Sequence, residues 1–359
     1  MIIYKILTAM EQTKDQTKHN TSYLTILSVI SSFAVVVLHV NGCFWNFSTS
    51  LRWISANIIE SIFYFAVPIF FMISGATLID YRKRYDTKTF IKKRIFKTLI
   101  PFIIWSLITL IIKLIEGEYT LKDFSVSFFL DGILNTKFQS VYWFFIPLFM
   151  CYSMIIVLSL IPDEQKPRIF LYLIIAGFIT ISVLPCLFEI FNLNYNYTLQ
   201  IPITGSGYLI FVLLGYCINK YDIKPCYRII IYCLGIMGLI LHTLGTHFLS
   251  LDAGSIISTF KGYLNFPSVL YALAIFTFFR YLKPSKFFCF IHKVCKFISP
   301  MTFGVYLIHM PILIFFLGKY FDINTILFRT LGSIGTFIFC LCIVWIIQHI
   351  PVIKKLLPK

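Results

Sequence analysis

Charge is scarce in this chain. Asp, Glu, Lys and Arg make up 13% of its 359 residues, while the apolar types Ala, Val, Ile, Leu, Met, Phe, Trp, Tyr and Cys make up 58%. So little charge cannot cover a soluble domain's surface, which excludes an ordinary water-soluble enzyme. Other elements are missing too. There is no glycine-rich phosphate loop, and no Cys/His spacing of the kind that holds zinc, so no metal is expected. The ten cysteines fall mostly in apolar runs or at their ends and do not form a disulfide framework; buried thiols are expected instead. No internal repeat is clear enough to indicate a transporter's inverted halves. The first twenty residues are polar and mixed, without an apolar core followed by a cleavage site, so the first apolar run is expected to be retained.

What is present is a series of long apolar runs. Ten spans are expected, at about 23–44, 54–79, 98–115, 141–161, 169–189, 206–219, 229–248, 263–282, 301–318 and 326–350. This describes an all-α integral membrane protein with about ten transmembrane helices. A short N-terminal segment (1–22) precedes the membrane domain (23–350), and a basic tail (351–359) follows it. With the N-terminus in the cytoplasm, 24 of the 31 Lys and Arg residues fall on the inside and seven on the outside. That asymmetry follows the positive-inside rule and places both termini in the cytoplasm. It also accounts for the net charge of +16 through membrane topology rather than nucleic acid, and no nucleic-acid partner is expected.

Ionisable residues inside the spans are costly, so they are the first candidates for function. His39 lies about sixteen residues into the first span, roughly 24 Å along its axis and in the outer half. Two roles fit it: a neutral imidazole that takes a proton from a hydroxyl arriving from outside, or a packing hydrogen bond to a neighbouring helix. Glu60 is the only acidic residue well inside a span, at a similar depth. It either orients His39 or pairs with Arg52 or Lys113 at the outer interface. His309 is a second intramembrane histidine and His242 a third, while His19, His247, His292 and His349 are expected to be solvated. Between spans two and three, residues 80–97 hold eight basic side chains, among them Arg82, Lys92, Lys93 and Arg94. Such a cluster can clamp the phosphates of a soluble donor such as a coenzyme A thioester, or anchor the chain to anionic lipid. Trp143 opens span four near the outer interface, either as an aromatic-belt residue or as a platform for a sugar.

Together these pieces resemble the acyltransferase-3 family of integral membrane acyltransferases. The resemblance is carried by His39, by Val67-Pro68-Ile69-Phe70-Phe71-Met72-Ile73-Ser74-Gly75 and by Lys92-Lys93-Arg94 ahead of Pro101. Tyr142-Trp143-Phe144-Phe145, Tyr208 to Tyr216 and Phe303-Gly304-Val305-Tyr306-Leu307-Ile308-His309 complete it, and it spans roughly 23–350. It implies a ten-helix domain in the cell membrane that passes an acyl group from a cytoplasmic acyl-CoA, commonly acetyl-CoA, to a hydroxyl of a surface or exported glycan. It also implies that His39 is the catalytic residue and that no cofactor is bound. The chain departs from the family pattern at Ser28 and Tyr64, where an Arg is usual, and at Thr25, where an acidic residue is usual. These departures leave open a non-enzymatic glycan export protein that keeps the fold. The sequence sets no oligomeric state.

Overall fold

The computed structural model describes residues 21–201, 207–283, 285–351 and 356–357. Nearly all of the 1–22 segment and most of the 351–359 tail lie outside that range. The regular structure of the described residues is all helical, with no strand among them. Among the described residues, eight helices are long and apolar enough to cross a membrane: α1 (Ser22–Val40), α2 (Leu51–Lys83), α3 (Thr87–Ile115), α4 (Ser140–Leu158), α5 (Lys166–Ile190), α7 (Pro225–Ala253), α9 (Lys286–Tyr320) and α10 (Phe328–His349). Two shorter apolar helices, α6 (Leu209–Lys220) and α8 (Phe266–Arg280), complete the bundle. The third expected span, 98–115, turns out to be the apolar part of a longer helix, because Lys88 to Lys97 continue it with Asp86 as N-cap (Thr89 N to Asp86 Oδ1, 3.0 Å). The ten cysteines are free thiols.

Helix α1 is the most enclosed of these spans and packs against α2, α8, α9 and α10. In lipid the tails are as apolar as the side chains, so close backbone approach and hydrogen bonds hold helices together. Gly75 of α2 and Gly215 of α6 show this. A Cβ on Gly75 would lie 1.8 Å from the Val212 carbonyl oxygen, and one on Gly215 would lie 2.0 Å from that of Met72. Only glycine permits this crossing.

Prolines shape the helices that carry the site. Pro68 has no N–H to give the Tyr64 carbonyl four residues back, and α2 bends at Tyr64 and Phe65. Pro311 likewise frees the carbonyl of Leu307 in α9, and the Tyr142 hydroxyl of α4 donates to it at 2.6 Å. Tyr306 returns the link with a hydrogen bond to the Val141 carbonyl. Two tyrosines therefore tie α4 to the turn of α9 that holds His309. Among the described residues, five π-helical turns interrupt the bundle, at Ile95–Leu99, Phe178–Val183, Leu241–Gly245, Leu313–Leu317 and Phe328–Gly332.

Candidate active site

The end of α1 brings His39 against His309 of α9, across 270 residues of sequence. His309 Nε2 and His39 Nδ1 are 2.8 Å apart, and the ring centroids are 4.8 Å apart. The backbone fixes the proton positions. His309 Nδ1 faces two carbonyl oxygens, of Tyr306 at 2.7 Å and Val305 at 3.2 Å. A carbonyl can only accept, so Nδ1 carries a proton. With both rings neutral, His309 Nε2 is then an acceptor, and His39 Nδ1 donates to it. The Nε2 lone pair of His39 is left to take a proton. His309 is fully enclosed while His39 is only partly so. The buried ring thus orients the accessible one, as the third member of a triad orients a catalytic histidine.

Glu60 does not fill that role. It is buried on α2, where Oε2 accepts from Asn41 Nδ2 at 3.3 Å and Oε1 lies 3.8 Å from Lys261 Nζ. Asn41, two residues on from His39, also donates to the Ala56 carbonyl at 2.8 Å and accepts from Arg329 Nη1 of α10 at 3.2 Å. Arg329 is itself buried and donates to Ser55 Oγ at 3.0 Å and to the Arg52 carbonyl at 3.3 Å. Asn41 therefore bridges a buried carboxylate and a buried guanidinium just beyond the histidine pair. Lys261 comes from the loop between α7 and α8. Its ammonium sits over the rings of Phe44 (4.2 Å) and Tyr64 (4.5 Å) and makes no hydrogen bond among the described residues. Burial pushes it below the usual lysine range, while Glu60 pulls the other way.

An aromatic wall lines the same end. Trp143 stacks on Tyr263 at 5.6 Å, Tyr263 on Tyr64 at 4.2 Å, and the His242 ring follows at 4.8 Å from Tyr64. Trp143 thus faces other aromatics of the bundle. His242 is buried, and neither of its ring nitrogens has a partner among the described residues. His247, expected to be solvated, is half-buried and stacks on Trp53 at 6.0 Å.

The basic residues lie at the other end. Arg94 lines a cavity of 240 Å³ with Phe90, Phe149 and Tyr152, its guanidinium over the Tyr152 ring at 5.4 Å and its Nε unpartnered. Tyr152 also borders a second cavity, of 200 Å³, lined by Ser28, Ser74, Thr98, Thr302 and Tyr306. The Tyr306 ring is in turn 5.8 Å from that of His309. The two cavities therefore form a chain of contacts from Arg94 to the histidine pair. The other basic candidates lie outside it. Lys92 is exposed, Lys93 sits over Tyr85 at 3.8 Å, and Arg82 donates to Ser159 Oγ at 2.9 Å.

The model of the acyltransferase domain family (Acyl_transf_3) matches residues 21–345. The chain belongs to the acyltransferase-3 family. It is a multi-pass membrane protein and a membrane acyltransferase by family. Neither the curated proteins nor the solved structures give a match. Of this acyltransferase's three departures in the bundle, Ser28 leaves the second cavity without a cation, its hydroxyl 3.4 Å from that of Thr302. At Tyr64 a cation does arrive, from Lys261. Lys261 and Arg329 belong to no local motif; their signal in the sequence is that they are two of only seven basic residues on the sparsely charged side.

Proposed function

We propose that the protein moves an acyl group, acetyl being the expected one, from coenzyme A at the basic end to a hydroxyl of a cell-surface or exported polysaccharide at the histidine end. The setting is the cell (plasma or inner) membrane. The single observation that carries this reading is the His39–His309 pair, whose backbone-fixed tautomers leave a basic nitrogen on the accessible ring. His39 Nε2 takes the hydroxyl proton as the oxygen attacks the thioester carbonyl. The tetrahedral intermediate collapses by breaking the C–S bond, and the imidazolium returns its proton to the departing thiolate. Arg94 suits a donor phosphate because a guanidinium gives a planar, multidentate grip. The narrow chain of cavities from Tyr152 to Tyr306 suits an extended thioester arm.

Replacing His39 with Ala should abolish acyl esters on the envelope glycan while the protein is still inserted at normal levels, read by mass spectrometry of the polymer. Wild-type ester content in that variant would end the catalytic assignment. The neutral Ser28 in the donor-side cavity favours a second reading, a glycan export or translocation protein without chemistry. A deletion strain separates the two. Polymer exported without esters supports the transferase, and polymer missing from the surface supports the exporter.

A further inference from the structure

The buried polar cluster beside the histidine pair is out of charge balance. Among the described residues, its buried acidic and strongly basic side chains are Glu60, Lys261 and Arg329, one acid against two bases. Arg329 and Glu60 are joined through Asn41. Lys261 is left with a loose ion pair at 3.8 Å and no hydrogen bond, although its side chain has no exposed surface. An enclosed ammonium with three unused N–H donors is costly, and that cost falls only when an anionic acceptor reaches it. Next to it, across the Tyr64 ring, His242 holds two more unused ring nitrogens at 3% exposure. Two separate side chains, from the 254–265 loop and from α7, therefore bring unsatisfied polar atoms to the surroundings of one ring, that of Tyr64. Trp143 of α4 and Tyr263 of the same loop extend the aromatic stack on Tyr64, and the edges of such a stack suit the apolar face of a sugar ring.

We infer that this cluster is an acceptor subsite for a sugar bearing a single negative charge, with Lys261 binding the anionic oxygen and His242 hydrogen-bonding another oxygen of the same acceptor. The charge count sets the class. One excess positive charge is balanced by a carboxylate or a phosphodiester, each carrying one negative charge, and is over-compensated by a phosphomonoester with about −1.5 to −2. The position sets the use. Lys261 contacts Glu60, Glu60 contacts Asn41, and Asn41 follows His39 by two residues, so the ammonium belongs to the contact network that adjoins the histidine pair. Lys261 also lies on a loop, so it can be uncovered without unfolding a helix. This inference rests on the acyltransferase reading for its purpose but not for its test.

The test is equilibrium binding to the purified full-length protein in detergent, with no acyl donor present. The probes are methyl glucuronide, a methyl glucoside carrying a phosphodiester, and neutral methyl glucoside. At least one charged sugar should bind saturably and about tenfold or more tighter than the neutral one, the scale of a lost charge-assisted hydrogen bond. Which of the two binds tells a carboxylate acceptor from a phosphodiester one. Lys261→Met should erase the preference, and Glu60→Gln, which removes the competing carboxylate, should strengthen it at a mildly acidic pH where Lys261 keeps its charge. His39→Ala should leave binding intact, so that failed acylation and failed binding are told apart. Equal affinity for charged and neutral sugars, no saturable binding of any of the three, or an undiminished preference in Lys261→Met each overturns the inference.

Discussion

Helix α2 carries one buried or half-buried acid near each end, and the two are treated in opposite ways. At the basic end, Asp80 accepts from Lys166 at 2.8 Å, from Lys220 at 3.2 Å and from Lys83 at 3.3 Å. Asp163 adds bonds to Lys166 at 2.7 Å and Lys83 at 2.5 Å, and the Tyr216 hydroxyl completes the shell at 3.2 Å. Burial raises Asp163, but its bonds to Lys166 and Lys83 outweigh this and hold it below the usual carboxylate range. Twenty residues away, about 30 Å along the helix, Glu60 meets one ammonium at 3.8 Å and one amide. The first cluster is satisfied and ties α2, α5 and α6 together. The second is short of partners. In one chain and one membrane, that difference separates a group placed for stability from groups placed to meet something else.

The sharpest expected contrast is between chemistry and stability. Loss of the general base in His39→Ala should cost roughly 10²- to 10⁴-fold in acyl transfer, with an unchanged unfolding midpoint. His309→Ala should lower transfer by a factor between about ten and that loss, because His39 keeps its nitrogen but loses the acceptor that fixes its tautomer. A matched pair comes next. Lys166→Met should cost about 1–3 kcal/mol, a buried-pair penalty reduced because Asp80 and Asp163 are partly exposed, seen as a midpoint lower by several degrees. Lys261→Met should cost less than this, since the ammonium it removes makes no hydrogen bond and only a loose ion pair with Glu60, and the apolar chain packs against Phe44 and Tyr64. Equal losses in the two variants would erase the comparison. The smallest effect is in pH. The folded Lys261 value is lowered, so its charge is lost as pH rises, earlier than for a free lysine near 10.4. Binding of a charged sugar should weaken over that range. Glu60, His242, Tyr64 and Arg329 are the other titratable or charged groups there, and Glu60→Gln should move the onset to lower pH by removing the charge that supports the ammonium.

Much of the fold was legible because lipid imposes it. Each expected span falls on one of these apolar helices, since only a helix satisfies its own backbone in a hydrocarbon. His39 stood out for the same reason, as an ionisable group where one is expensive. Its partner did not. His309 was visible as a second histidine, but no local pattern reports a contact across 270 residues that depends on how α1 meets α9. Depth alone leaves Glu60 to His39 or to Arg52 and Lys113, whereas its partners are Lys261 and Asn41, a neutral residue at a helix end. Depth is one coordinate; the rotation of each helix is the other. The π turns change that rotation without leaving a clear mark in the hydropathy.

Those π turns also bear on how such a protein changes over time. His242 lies in the turn Leu241–Gly245 and Arg329 in Phe328–Gly332. A π turn is an α-helix holding one residue more than its path requires. Deleting that residue restores the ordinary helix and swings the side chains on one side by about 100°. The polar groups that meet beside the histidine pair can therefore be exchanged by single-residue insertions and deletions inside helices, where a span keeps its length in the membrane almost unchanged. This end of the bundle can evolve by slipping a helix one position as well as by substituting the residues on it.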